Sequence, residues 1–141
     1  MLFRSIQPHQ IDYINAHGTS TPANDAVETL AIKLLFGEDA YSIPVSSTKS
    51  MIGHTLGAAG AIESVATILM LDEGFVHPSV NCEDLHPDLA AYEASVPHTV
   101  RELPDLRTAI KAGFGFGDVN ACVVYRKWED RAAGAAQGAR A

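Results

Sequence analysis

The 141 residues predict an α/β fold in which helices pack on a sheet of mainly parallel strands. Two β-favouring runs, residues 11–16 (IDYINA) and 43–47 (IPVSS), are each followed by a turn and a helical apolar repeat. Alternation of strand and helix is the pattern of parallel pairing. Two later runs, residues 108–112 and 121–126, flank the glycine-dense turn GFGFGDVN and predict an antiparallel pair. The expected sheet is therefore mixed.

Each element has its own signal. Pro8 precedes the first strand, and Asn24 or Asp25 can cap the helix after HGTSTP. Val27, Leu30, Ala31, Leu34 and Leu35 recur at helical spacing and form its predicted buried stripe, which Gly37 ends. The second helix is expected over residues 57–71 with Gly74 as its stop. It is rich in small residues and apolar nearly all round, so burial inside the fold is predicted. Pro78, Asn81 and EDLHPD predict a long loop. Residues 129–141 read as a frayed tail.

Composition limits the function. The length suits one domain, and 47% hydrophobic with 19% charged residues is ordinary for a globular protein. A net charge of -7 repels phosphate backbones and anionic lipid, which argues against nucleic acid and membrane surfaces. Cys82 and Cys122 have neither zinc spacing nor the density of a disulfide scaffold, so no metal is expected and a reducing, cytoplasmic setting is. No leader is evident, and the apolar run over 56–71 is interrupted and too short to span a bilayer.

Ligands of open α/β sheets bind at strand C-terminal ends, and the unusual loops fall there. His17 follows the first strand, and His54 lies in the loop before the second helix, so both can face one crevice. Lys49 and Glu63 flank His54 in sequence, bringing a cation, an imidazole and a carboxylate to the head of one helix. A nearby ammonium and a helix N-terminus disfavour imidazolium, which predicts a neutral His54 donating from one nitrogen while a neighbour holds the other. Taken alone, Lys49 and Glu63 also read as a surface ion pair. Thr19, Ser20 and Thr21 offer hydroxyls to a substrate or to their own turn. GHTLGAAG fits neither phosphate-loop pattern and reads equally as close helix packing. In GFGFGDVN the glycines leave amide donors unobstructed for a developing oxyanion; Phe114 reads as core and Phe116 as free to swing.

Taken together, NAHGTSTPANDAVET, SSTKSMIGHTLGAAGAIES and the GFGFGxxN turn closely resemble β-ketoacyl-[acyl-carrier-protein] synthases of the elongating, synthase II type, from about residue 11 to about residue 128. The resemblance implies the C-terminal half of a thiolase-like fold and decarboxylative Claisen condensation of a malonyl thioester with an acyl thioester. Carried over by position, His17 and His54 would be the catalytic histidines that donate to the enolate oxygen, Lys49 would support His54, and Glu63 would belong to the same polar network. Thr19 and Thr21 would contact the phosphopantetheine arm, and Phe116 would be a gate whose N–H forms half of an oxyanion hole. The partner would be acyl carrier protein, which brings 4'-phosphopantetheine, so no cofactor of the chain's own is implied. The complete enzyme would be a homodimer.

In this family the nucleophilic cysteine comes from the first half of the chain; Cys82 in SVNCED and Cys122 in NACVVY do not match its context. The chain is therefore expected to be inactive alone. Residues 1–10 read as a truncated lead-in, 11–128 as the synthase domain and 129–141 as a disordered tail. MLFRS is what a sequencing-adapter-like DNA string would encode, which makes truncation the expected reason for the missing half. A rival reading is a non-enzymatic or complementing subunit of a split synthase. Where much of the family has two glycines after the gate phenylalanine, this chain has Gly117 and Asp118, which puts gate movement in question.

Overall fold

The computed structural model describes residues 6–128. The predicted tail and the opening MLFRS lie outside the described residues. Its centre is a four-stranded sheet in the order β2-β1-β5-β6, with β1 being Tyr13–Asn15, β2 Val45–Ser46, β5 Thr108–Gly115 and β6 Val119–Arg126. Strand β1 pairs in parallel with β2 and with β5, and β5 pairs antiparallel with β6. The predicted mixed sheet is present, with shorter first and second strands and a longer hairpin. Much of the supposed GFGFGDVN turn is strand, and only Phe116 to Asp118 reverse the chain. Gly117 and Asp118 both take positive φ there.

The carboxylate of Asp12 accepts the backbone N–H groups of Arg107 and Thr108, tying the start of β1 to the start of β5. This anchor fixes the register that places Asn15 opposite Lys111. Because β2, β1 and β5 are parallel, their C-terminal ends emerge at one edge of the sheet, and the loops that carry His17, Lys49 and the glycine hairpin emerge together.

Helix α1, Pro22–Phe36, begins earlier than predicted. Thr21, not Asn24 or Asp25, is the cap: it is extended, accepts the Asn24 N–H, and precedes Pro22, whose fixed φ suits the first helical position. The inward face also differs from the prediction. Glu28, Ile32 and Phe36, four apart, turn inward, whereas Val27, Leu30, Leu34 and Leu35 lie on solvent. The sheet supplies two unpaired N–H groups at the end of β1, and Glu28 is drawn in to accept them, which sets the rotation of the helix. Phe36 and Ile32 pack with Ile11, Ile14, Ala40 and Ile43.

Four-residue helix α2, Lys49–Ile52, and a 3-10 turn over Leu56–Ala58 precede helix α3, Ala59–Glu73. Gly74 ends α3 in the left-handed conformation, its N–H bonded to the Met70 carbonyl. Burial of α3 is one-sided rather than complete: Glu63, Thr67, Met70 and Leu71 face the sheet, while Ile62, Val65, Ile68 and Leu69 are exposed. Met70 and Leu71 join Tyr13, Val76, Leu106 and Ala109 in the core on that face. The predicted loop over Pro78 to the EDLHPD segment runs into a 3-10 segment over Pro87–Ser95, and on either side of it lies an antiparallel pair the sequence did not predict, β3, Phe75–Val76, and β4, Arg101–Glu102. Two-residue strands carry no readable period in sequence. No helix among the described residues is long and apolar enough to cross a membrane.

Candidate active site

Beneath the loop edge lies a buried cluster of charge. Glu63 of α3 meets the Lys49 ammonium through one oxygen and the Lys111 ammonium through the other, each at 2.5 Å. The side chains are 1%, 5% and 3% exposed, so Lys49 and Glu63 meet in a buried triad and the alternative reading as a surface ion pair does not hold. Lys111 comes from β5 and also donates to the Ala112 carbonyl. Its neighbour Gly113 makes room: a Cβ there would stand 3.3 Å from the Lys111 nitrogen.

A second polar chain runs alongside. His77 donates from Nδ1 to the Pro78 carbonyl, leaving Nε2 to accept from the Thr48 hydroxyl. Thr48 in turn accepts from the Asn15 amide, whose other proton goes to Thr67, and Thr67 donates to the Glu63 carbonyl. These bonds join the residue before Lys49 to the backbone of Glu63, so both ends of that ion pair are held. Burial holds the His77 imidazole below its ordinary pKa, with the Pro78 bond opposing. Tyr13 sits beside this chain with its hydroxyl bonded to Ser46, and burial raises its pKa.

Above the charge cluster sit the two histidines. Their rings stand edge to face with centroids 5.8 Å apart, and the Phe114 ring packs 5.4 Å from His17. Glu28 accepts the backbone N–H groups of His17 and Gly18 at 2.7 and 2.9 Å, and the Ser47 hydroxyl donates to the His17 carbonyl. Gly18 is required here, because φ is +48° and a Cβ would lie 2.5 Å from that of Ser47. Burial first, then the Lys49 charge, hold the His17 pKa below its ordinary value; Lys111 and His54 act in the same direction and Glu28 opposes. His17 is therefore a neutral imidazole near pH 7. His54 accepts the Leu56 N–H at Nδ1, so in the neutral ring the proton is on Nε2, which is left to donate.

Of the residues the sequence singled out, the structure thus brings His17 and His54 together and Lys49 and Glu63 together. No hydrogen bond or ion pair joins Lys49 to His54 among the described residues. His54 is exposed and precedes α3 by five residues, and the cationic surroundings predicted for it are found at His17. Thr21 spends its oxygen on the helix cap, while Thr19 contacts the Thr21 hydroxyl at 3.3 Å. Phe116 is fully exposed at the hairpin tip, and the ring against His17 belongs to Phe114, read from sequence as core. Cys82 is half-buried and Cys122 exposed, both with thiol pKa raised chiefly by burial. Sequence reasoning missed Lys111, Glu28 and His77. A lysine inside the apolar run TAIKAG was the available sign for the first; nothing local marks the other two. No group of three histidine, cysteine or acidic residues among the described residues is placed to hold a metal ion.

The family model of the β-ketoacyl synthase C-terminal domain matches residues 4–83. The chain belongs to the β-ketoacyl synthase family. It is 48% identical over 119 residues to 3-oxoacyl-[acyl-carrier-protein] synthase 2 of Coxiella burnetii, covering 84% of this chain and 28% of the relative. With synthase 1 of Escherichia coli K12 it shares 46% over 120 residues, 85% of this chain and 28% of that protein. The chain thus spans under a third of the length of these curated relatives. Among solved structures it resembles a type II polyketide ketosynthase in complex with its acyl-carrier protein and bound to the hexaketide, with TM-score 0.80, 41% identity, and coverage of 88% of this chain and 30% of that one. It also matches a β-ketoacyl synthase from Burkholderia phymatum with TM-score 0.79 at 33% identity, over 88% of this chain and 29% of that one. The thiolase-like fold expected of a β-ketoacyl synthase follows from these neighbours, and the chain corresponds to the C-terminal part of such a synthase.

Proposed function

We propose that the chain supplies the enolate-stabilising part of a 3-oxoacyl-[acyl-carrier-protein] synthase, an acyltransferase that condenses a malonyl thioester with an acyl thioester. The observation that carries the reading is the edge-to-face pair of His17 and His54, with a neutral His17 and a His54 whose Nε2–H is unspent. Decarboxylation breaks the bond between the malonyl α-carbon and its carboxylate. Carbon dioxide leaves and the electron pair moves onto the thioester oxygen. Two fixed N–H donors lower the energy of that oxyanion without surrendering a proton. The α-carbon then attacks the acyl thioester carbon, and the thiolate that carried the acyl group departs.

Lys49 and Glu63 hold the floor of this site, Thr19 and Thr21 receive the phosphopantetheine arm, and Phe116, exposed at the tip of the β5–β6 hairpin, gates the entrance with its N–H half of the second oxyanion site. Acyl carrier protein delivers both thioesters; the protein works in the cytoplasm as a homodimer, with no cofactor or metal of its own. The acyl-accepting cysteine is supplied by the part of the family that residues 11–128 do not span, so the chain alone does not condense. The test mixes the purified chain with acyl donor and malonyl-carrier protein, with and without a separately expressed cysteine-bearing half. β-Ketoacyl product is expected only from the mixture of halves, and its loss on His17→Ala or His54→Ala supports the roles. Robust turnover by the chain alone, or product indifferent to both substitutions, overturns them.

A further inference from the structure

The triad of Lys49, Glu63 and Lys111 does not balance: two ammonium groups share one carboxylate, leaving one formal positive charge in a site almost without solvent contact. Neither Lys49 Nζ nor either Glu63 oxygen has any hydrogen-bond partner beyond these ion contacts. Burial of an unmatched charge is costly unless an anion answers it. Lys111 is well placed to be the source of the surplus, since it stands opposite Asn15 in the sheet, two residues before the histidine loop, and its charge is felt at His17.

We propose that Lys111 is a positioning residue of the site, fixing Glu63 from the side opposite Lys49 and supplying the uncompensated positive charge that draws a carboxylate onto the histidine pair. The substrate group that fits is the free carboxylate of a malonyl thioester, and in this respect the inference rests on the function proposed above. The pairing of Lys111 with Gly113 belongs to the same device, because any side chain at 113 would press on the ammonium. The groups facing His17 are Glu28 from α1, Lys49 from α2, His54 from the following loop and Lys111 from β5; the Glu28 carboxylate accepts from the His17 and Gly18 N–H groups and the Asn24 amide, so its oxygens are already occupied.

The experiment uses the labelled chain itself. NMR follows the His17 and His54 ring signals against pH and against two probes, malonate and uncharged malonamide. In the unaltered chain, malonate is expected to bind roughly fivefold or more tightly than malonamide, because a poorly screened surplus positive charge attracts the anion and not its uncharged amide. In Lys111→Met that preference disappears and the His17 titration midpoint rises, whereas Lys111→Arg restores both. A purely structural lysine would lower the melting temperature and leave the midpoint and the preference where they were. Equal binding of malonate and malonamide by the unaltered chain overturns the proposal even if no variant folds. A preference for malonate without condensation in the reconstituted halves would sink the functional reading alone, and condensation without that preference would sink the role of Lys111 alone.

Discussion

Glu63→Gln should be far more damaging than removal of either lysine it binds. The carboxylate is 1% exposed and each of its oxygens meets a different ammonium at 2.5 Å. An amide offers one acceptor atom and no charge, so the substitution leaves two buried ammonium groups facing each other. Removing one partner from a buried ion pair costs about 3–5 kcal/mol, and the repulsion between the remaining lysines adds to it, so a loss of about 4 kcal/mol or more is expected. Lys49→Met or Lys111→Met instead leaves a one-to-one pair with an apolar stem of similar shape, a change of about 1 kcal/mol in either direction, because the lost contact is offset by relief of surplus charge. On a domain whose total stability is about 5–15 kcal/mol, the difference is plain in urea. With a slope near 1.5–2 kcal/mol per molar, the Glu63→Gln midpoint should fall by about 2–3 M and that of either lysine variant by less than about 1 M. A Glu63→Gln midpoint no lower than those of the lysine variants would refute the reasoning, since it would mean that the carboxylate is not the shared anchor.

Three other expectations are open to measurement. His17 and His77 both have pKa values held below the ordinary 6.5, so the unfolded chain takes up their protons first; their contribution to stability is full above pH about 6.5 and is lost as pH falls from there through the depressed native values, which urea midpoints between pH 7.5 and 5 would show and a flat profile would contradict. Gly18→Ala combines positive φ with a 2.5 Å approach to Ser47 and should cost about 2–3 kcal/mol; a melting temperature unchanged from that of the unaltered chain would disprove the steric account. Leu30→Lys with Leu34→Lys should reduce self-association in light scattering while changing the unfolding free energy from urea titration by no more than about 0.5 kcal/mol, because both side chains are on solvent; a large loss of stability would show that they are buried.

What could be read from the sequence was whatever is encoded within a few residues. The strand and helix order, the antiparallel last pair and the Gly74 stop depend on local propensity and turn chemistry, and the structure has them. The meeting of His17 and His54 was legible because parallel strands send their loops to one edge, so position along two strand-turn-helix units was enough. The rotation of α1 was not legible. Periodicity shows that Val27, Leu30 and Leu34 form a stripe but not that a competing stripe with Glu28 in it faces the sheet, because the reason lies in two backbone N–H groups eleven and ten residues away. Lys111 escaped for a similar reason: its partner Glu63 lies forty-eight positions earlier on another element, and only the Asn15–Lys111 register brings them together.

The division between what the chain holds by itself and what it leaves open follows from these contacts. Several of these bonds lie within residues 6–128: Glu28 and Ser47 fix the backbone of His17, the Leu56 amide bonds the ring of His54, and the charge triad lies on Lys49, Glu63 and Lys111. The apolar surface is the reverse. Val27, Leu30, Leu34 and Leu35 on α1 and Ile62, Val65, Ile68 and Leu69 on α3 have helical spacing suited to burial and are exposed. Each large side chain left in water forgoes about 1.5–3 kcal/mol that burial would return, so these two stripes are the part of the chain's energetics that only a covering surface can complete. On the function proposed above, N–H donors held in place before reaction are what the oxyanion needs, because aiming a donor after the anion has formed would forfeit the preorganisation that makes the donor effective.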